Sequence, residues 1–330
     1  MNRKTLTGLI LALLSAAAFG TSGALAKGLL TAGWSPAAAV TWRVVVGAVG
    51  LLVPGMLAMR GRWGLLKRHW SRVVLFGLLA VAGCQLAYFL AVERLPVAIA
   101  LLLEYCGVVL VVVWLWLRHG QRPRPLTVAG AGVAMVGLML VLDVFGVVQV
   151  DLLGVLWALV AAGGLAAYFI ISADDTSGLP PLALASGGLS VAAVVLVVAG
   201  AVGIVPFEWS TADAILAGIT VPWWSLVLAL GLFAAAFAYA AGTLANPRLG
   251  SKMASFVGLS EVLFAVLWAW LLLGEMPAVI QLLGGIAVLG GVVLIKLDED
   301  QDAPKVAAPH LPPAQPVPVP TTPGGVKVRR

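Results

Sequence analysis

Three ionisable residues stand inside apolar runs, where an isolated charge is costly. They are Arg43 in Val-Thr-Trp-Arg43-Val-Val-Val, Glu104 in Leu-Leu-Leu-Glu104-Tyr, and Glu261 in Gly-Leu-Ser-Glu261-Val-Leu-Phe. A guanidinium can take a carboxylate through two parallel charge-assisted hydrogen bonds. A carboxylate in such a place can meet an amine or carry a proton. A lone charge at a bilayer centre costs about 3 kcal/mol on insertion scales, so these groups should face a cavity or a partner. Arg43 lies seven residues past Pro36 and Glu104 seven past Val97. If both runs are helices entered from the same face, both residues sit roughly 10 Å deep, and an Arg43–Glu104 pair is geometrically open. Thr41, Trp42, Gln85, Tyr88, Tyr105, Tyr168 and Tyr239 are polar or amphipathic neighbours able to line the same cavity. Three readings of the charges stay open: an ion pair fixing helix register, a gating or coupling group, and direct contact with a small zwitterion.

The elements that position these residues are set by composition. The chain has 330 residues, 62% of them hydrophobic and 10% charged, with a mean hydropathy of +1.07. Apolar stretches of about 18 or more residues recur throughout, long enough to cross a bilayer. Ten such spans are expected, near 5–26, 36–59, 72–92, 97–117, 125–142, 153–172, 181–203, 224–245, 253–273 and 277–296. All should be helices, because a helix satisfies its backbone polar groups internally. The fold class expected is an all-α membrane protein with no strands.

The ten spans fall into two similar sets of five. Gly77-Leu-Leu-Ala-Val-Ala-Gly83 aligns with Gly231-Leu-Phe-Ala-Ala-Ala-Phe237; each copy then reaches a buried glutamate and ends in a glycine-rich helix. An odd number of spans per copy inverts the second copy in the membrane, the usual build of a carrier that opens alternately to each face. The repeats are expected over 5–142 and 153–296. The Asp298–Asp302 acidic run and the Pro-rich tract after it should form a disordered tail over 297–330. Gly130, Gly137, Gly284, Gly285, Gly290 and Gly291 place small surfaces at helical spacing, which allows close helix packing within one protomer or a homodimer seam.

Charge is sorted by side. With the N-terminus inside, Arg3, Lys4, Arg60, Arg62, Lys67, Arg68, Arg72, Arg118, Arg122, Arg124, Arg248 and Lys252 fall inside, and Lys27 and Arg94 outside. That asymmetry puts both termini in the cytoplasm, and it accounts for the net charge of +6 without nucleic acid as a partner. The first span is expected to be a mature helix rather than a signal peptide. Cys84 and Cys106 read as small apolar fillers. His69, His119 and His310 lie in loops or tail, so neither a metal site nor a histidine base is expected within the membrane. Neither an enzyme nor a cofactor is implied. Pro125 and Pro277 should each start a helix.

The Thr41-Trp-Arg43-Val motif, the Leu-Glu-aromatic motif of the fourth span and the ten-span duplication resemble the EamA family of the drug/metabolite transporter superfamily. The segment Leu259-Ser-Glu261-Val-Leu-Phe-Ala-Val-Leu-Trp-Ala-Trp-Leu-Leu-Leu-Gly274-Glu275, continued by Gln281-Leu-Leu-Gly284, carries the closest likeness. Leu103-Glu-Tyr-Cys-Gly107 with the basic loop Arg118–Arg124 is similar to the threonine/homoserine exporter branch, although Val108 and Val262 stand where that pattern has proline. The resemblance implies an inner-membrane carrier exporting small metabolites, amino acids of that type first; the residues read above, Arg43, Glu104, Glu261, Trp42, Gln85, Tyr88, Tyr105 and Tyr239, are the substrate or coupling candidates. Proton coupling through the glutamates is an open expectation. A drug or other metabolite exporter, or a non-transporting membrane scaffold or sensor, are the alternatives.

Overall fold

Apolar sequence and local capping together explain the helices seen in the computed structural model, which describes residues 3–92, 94–95, 97–141, 151–216, 218–274 and 276–302. Helix α1 (Arg3–Thr31) is followed by α2 (Pro36–Ala58), whose start is set by Pro36 at its first turn and by the Ser35 side chain accepting from the Ala38 N–H. Two short helices, α3 (Trp63–Arg68) and α4 (Trp70–Leu75), lead into a π-helical stretch π1 (Phe76–Gly83) and α5 (Cys84–Val92). Then come α6 (Val97–Tyr105), α7 (Gly107–His119) and α8 (Pro125–Val141). The second half runs through α9 (Leu152–Ala173), capped by Asp151 accepting from Gly154 N–H, and α10 (Pro181–Ala201). It continues with α11 (Trp223–Leu228), a second π stretch π2 (Ala229–Phe237), α12 (Ala238–Gly258), α13 (Ser260–Leu273) and α14 (Val279–Asp302).

Among the described residues, eight helical segments are long and apolar enough to cross a membrane, and Pro125–Val141 and Ser260–Leu273 are shorter apolar helices. Trp223–Gly258 is one of the eight, although the sequence puts a gap at 246–252. Only Gly250 (φ 77°, ψ 158°) leaves helical geometry there. Pro247 just before it removes a helical donor, and glycine tolerates the positive φ.

The two halves share local irregularities at matching places. Gly77 and Gly231 both lie in the π stretches. Gly77 packs against the Gly188 carbonyl of α10, and Gly231 against Val46 of α2. Each half then has a tightened turn: Cys106 N–H bonds Leu103 O and Val109 N–H bonds Cys106 O, just as Leu259 N–H bonds Phe256 O and Val262 N–H bonds Leu259 O. Each ends the following helix on a left-handed glycine, Gly120 (φ 68°) or Gly274 (φ 73°).

Three expectations need correction. A hairpin of two short strands, β1 (Ala214–Leu216) and β2 (Ile219–Val221), pairs antiparallel around Gly218 (φ 75°). Its turn is made by backbone hydrogen bonds that no hydropathy window detects. Pro277 does not start the last helix, which begins at Val279; the preceding Ala278 N–H is capped by Gln281 Oε1 at 2.9 Å. That helix also runs through the acidic residues to Asp302, past the boundary expected at 296. Asp298 is 2% exposed, accepts a hydrogen bond from the Thr127 hydroxyl and lies 3.8 Å from Lys252 Nζ. A partnered carboxylate can stay buried, and this one holds the end of α14 in helical form. Glu275 and the chain beyond Asp302, including His310, lie outside the described residues.

Helices α8 and α14 pack on each other through glycine. A Cβ at Gly137 would meet Val288 N at 2.6 Å and Gly284 O at 2.7 Å, and one at Gly130 would meet Gly291 O at 2.9 Å. Backbones this close gain dispersion contact that lipid cannot match. Gly132, on the same helix, has nothing within 4 Å of an added Cβ. Gly137→Ala should therefore destabilise by about 1–3 kcal/mol, while Gly132→Ala leaves the thermal midpoint of the detergent-solubilised protein unchanged or raises it. Asp298→Ala leaves Lys252 and Thr127 without their carboxylate and should cost about 2 kcal/mol in the same measurement.

Candidate functional site

The packing leaves a cavity of about 640 Å³ between the two halves, inside the roughly 300–1,000 Å³ range of small-molecule sites. Its walls come from α1, α2, π1, α5, α6, α9, π2, α12 and α13. Arg43, Gln85, Tyr88, Glu104, Tyr105, Tyr168, Tyr239 and Glu261 all line it. Residues far apart in sequence thus converge on one space. At one end the lining includes the exposed Gly23, Lys27 and Leu30; at the other it includes the buried Ala12, Asn246 and Ala254. The cavity therefore opens at the end of the bundle that carries the α1–α2 turn.

Arg43 reaches this space from the second turn of α2 and is 8% exposed. It does not pair with Glu104. Its Nη2 donates to Ala234 O at 2.9 Å and its Nη1 to Gln85 Oε1 at 3.4 Å, while Nε has no hydrogen-bond partner. The guanidinium lies 5.7 Å from the centroid of the Phe19 ring, within cation–π range. Ala234 belongs to π2; π-helical turns are rare overall and frequent at functional sites, and this one supplies the carbonyl that anchors Arg43. One carbonyl and one amide oxygen hold the fork in place without neutralising it. A buried cation thus lines the cavity with one donor, Nε, enclosed and unsatisfied.

The two glutamates are not equivalent positions of the repeat. Glu104 lies two residues before the tightened turn at Cys106, and Glu261 two residues after the matching turn at Leu259. Both are half-buried, and both line the same cavity. Cys84, read from the sequence as an apolar filler, is part of this wall: its thiol donates to Glu104 Oε1 at 3.3 Å and lies 3.4 Å from Ala161 O. Tyr105 adjoins Glu261, and Tyr239 adjoins Arg43 and Gln85.

Two sequence candidates do not join the cavity. Trp42 is 37% exposed and packs 6.4 Å, centroid to centroid, from Trp209 near the α1–α2 turn. On a helix, the residue next to Arg43 points about 100° away from it. The Thr41 hydroxyl is consumed by Ala37 O at 2.8 Å. In the other direction, sequence reasoning missed Ser15, Phe19, Ser22 and Asn246, which line the cavity from α1 and α12. Nothing in the composition of those helices sets them apart, because α1 is apolar and small-residue-rich on every face.

At its closed end the cavity rests on aromatic rings. Tyr168 packs against Phe76 (6.0 Å), Phe169 (4.9 Å) and Tyr239 (5.8 Å), and Phe19 packs edge-on to Tyr239 (5.0 Å). A side chain at Gly242 would overlap the Tyr168 hydroxyl, so glycine is needed where α12 passes beneath it. One turn further along α9, Asn246 Nδ2 donates to Ser172 Oγ at 2.6 Å. Beyond that, Arg72 Nη1 lies 3.1 Å from Asp174 Oδ2, and its Nη2 donates to Ile171 O at 2.6 Å and to Asp174 O. Asp174, outside the helix, titrates below its ordinary value. Partial burial opposes this, and hydrogen bonds with Thr176 and Arg72 outweigh it. That stabilisation is present above the ordinary carboxylate range and fades as pH falls through the lowered value.

Among the described residues no cluster of His, Cys, Asp and Glu suited to a metal ion occurs. No curated protein sequence matches the chain. A solved structure titled only "Crystal structure of protein" superposes with a TM-score of 0.73 at 21% identity, covering 90% of this chain and 98% of its own; this similarity concerns the fold. The model of the EamA-like transporter family matches twice, at residues 6–143 and 152–297, one match for each half of the chain. With a two-repeat helical bundle built around a central cavity, this chain belongs to the EamA-like transporter family.

Proposed function

We propose that this protein is an inner-membrane secondary carrier that exports small metabolites by alternating access. In this reading the chain crosses the membrane ten times, as two five-helix repeats of opposite orientation, with both termini in the cytoplasm. Charge sorting supports the orientation: the cation-rich loops flank the end of the bundle where Arg72 and Asp174 meet, and the cavity opens at the other. Substrate enters from the cytoplasm, binds among the residues that line the cavity, and leaves outward.

The observation that carries the reading is a buried Arg43 that no carboxylate neutralises, lining a cavity that also holds two carboxylates. Such a site accepts a carboxylate at Arg43 and an amine near Glu104 or Glu261, the two ends of an amino acid. Amino acids of the threonine/homoserine type are the first substrates to test. The aromatic lining from Phe19, Tyr88, Tyr105 and Tyr239, together with the volume, also supports a larger amphipathic metabolite or drug cation.

Cells preloaded with labelled amino acids should export threonine, homoserine or a relative faster when they express this protein. Arg43→Ala should cut that rate at least about tenfold, the effect of losing one charge-assisted contact of about 1.4 kcal/mol or more. Equal export by the variant would remove Arg43 from the path. If a glutamate carries the coupling proton, Glu104→Gln or Glu261→Gln should abolish the dependence of export on a pH gradient while leaving exchange at equal pH measurable. Full gradient dependence in both variants would exclude them as the proton carriers.

A further inference from the structure

The end of α9 and the residue after it, Tyr168 to Asp174, close the cavity on the side away from its opening in three stacked layers. The first is aromatic: the Tyr168 ring lies between Phe76 of π1 and Tyr239 of α12. The second is a single buried hydrogen bond, Asn246 Nδ2 to Ser172 Oγ at 2.6 Å. The third is the Arg72 fork, which holds the Asp174 carboxylate and two carbonyls at the end of the helix. Each layer ties α9, in the second half of the chain, either to α12 or to the span entered through α4 and π1. Ser172 lies one turn beyond Tyr168 on α9, and Asp174 follows two residues later, just past the helix end. Tyr168 lines the cavity, whereas Ser172 and the Arg72–Asp174 pair do not.

The layers differ in what opening them requires. Parting the aromatic layer exposes ring faces, and parting the second strands the Asn246 amide unless water enters. The third lies at the surface, with the Asp174 side chain 47% exposed and that of Arg72 15% exposed, so water can replace its contacts at low cost. A closure that is dry inside and wet at its rim is stable shut, yet can be released from the rim inward. The ion pair at the opposite end of the bundle, Arg94–Asp151 at 3.7 Å, is half exposed on both sides, and neither partner lines the cavity.

We propose that Tyr168–Asp174, the end of α9 with its cap residue, is the cytoplasmic gate of the carrier, with Asn246–Ser172 as its bolt and Arg72–Asp174 as its outer latch. This rests on the carrier reading above and adds the element that must move in it. Weakening either contact shifts the population from the form open at the α1–α2 end toward the form open at the cytoplasmic end.

The test needs no knowledge of the substrate. Gly23 lines the open part of the cavity, and an added Cβ there meets nothing within 4 Å. Gly23→Cys, in the full chain with Cys84→Ala and Cys106→Ala, is labelled with a membrane-impermeant maleimide in right-side-out and inside-out vesicles. Asp174→Asn and Asn246→Ala should each slow labelling from outside by about threefold or more and speed it from inside, whereas Arg94→Gln leaves both unchanged. Unaltered labelling from both sides in Asp174→Asn and Asn246→Ala, at normal membrane levels, would overturn the gate. Should either variant fail to reach the membrane, Arg72→Lys, which keeps the charge and loses the fork, takes its place with the same two outcomes. Export measured in the same cells separates the two ideas: a labelling shift without any export of the labelled panel upholds the gate and counts against the amino-acid substrate.

Discussion

Charge that cannot be left in hydrocarbon organises this molecule. Arg43, Glu104 and Glu261 lie within apolar helices, and each must reach either water or a partner. The fold answers with a shared cavity rather than with ion pairs. Arg43 is held by Ala234 O and Gln85 Oε1 instead of by a carboxylate, so its charge is positioned without being cancelled. An Arg43–Glu104 pair would have solved the solvation problem and left nothing for a ligand to do. The carbonyl that replaces it comes from a π-helical stretch, which links an irregularity of the backbone to the chemistry of the site.

A cavity of this size inside a narrow bundle requires close packing elsewhere. Glycine provides it at Gly77 against Gly188, at Gly231 against Val46, and along α8 and α14, where carbonyls of one helix touch the glycines of the other. Those contacts fix α2 and α10 against the π stretches and make α8–α14 a rigid flank. The proposed gate lies between them, around α9 and α12. There the closure is built from one aromatic layer, one buried hydrogen bond and one exposed ion pair.

Much of this was legible in the sequence, for identifiable reasons. Hydrophobicity marks segments that must be helical in lipid, and it located most apolar helices to within a few residues; it failed at 245–260, where the helix runs on to Gly258, and at the end of α14. The likeness of Gly77 and Gly231 was readable because both glycines serve the same purpose, a close approach that a side chain would block. Arg43, Glu104 and Glu261 were conspicuous because charge is rare in such segments. What escaped notice depends on direction or on tertiary partners. Trp42 and Arg43 are adjacent in sequence but face different ways on the helix. Asp298 looked like the start of a polar tail until Thr127 and Lys252 came near it from other helices. Cys84 has no apolar-filler signature distinct from that of a wall residue; only the approach of Glu104 separates the two. The hairpin Ala214–Val221 is set by its turn, on a scale shorter than any span.

The central claim is that Arg43 and the two glutamates face the path a substrate takes. Exchange of labelled compounds by the purified protein in proteoliposomes tests it most directly, with a panel of the common amino acids and several amphipathic organic cations. The account expects at least one of them to be exchanged. It expects that compound's affinity to fall in Arg43→Met, Glu104→Gln or Glu261→Gln, with the same fraction of folded protein. Exchange that proceeds with unchanged affinity when all three residues are replaced together would contradict it, and would leave the cavity's charges as structure alone.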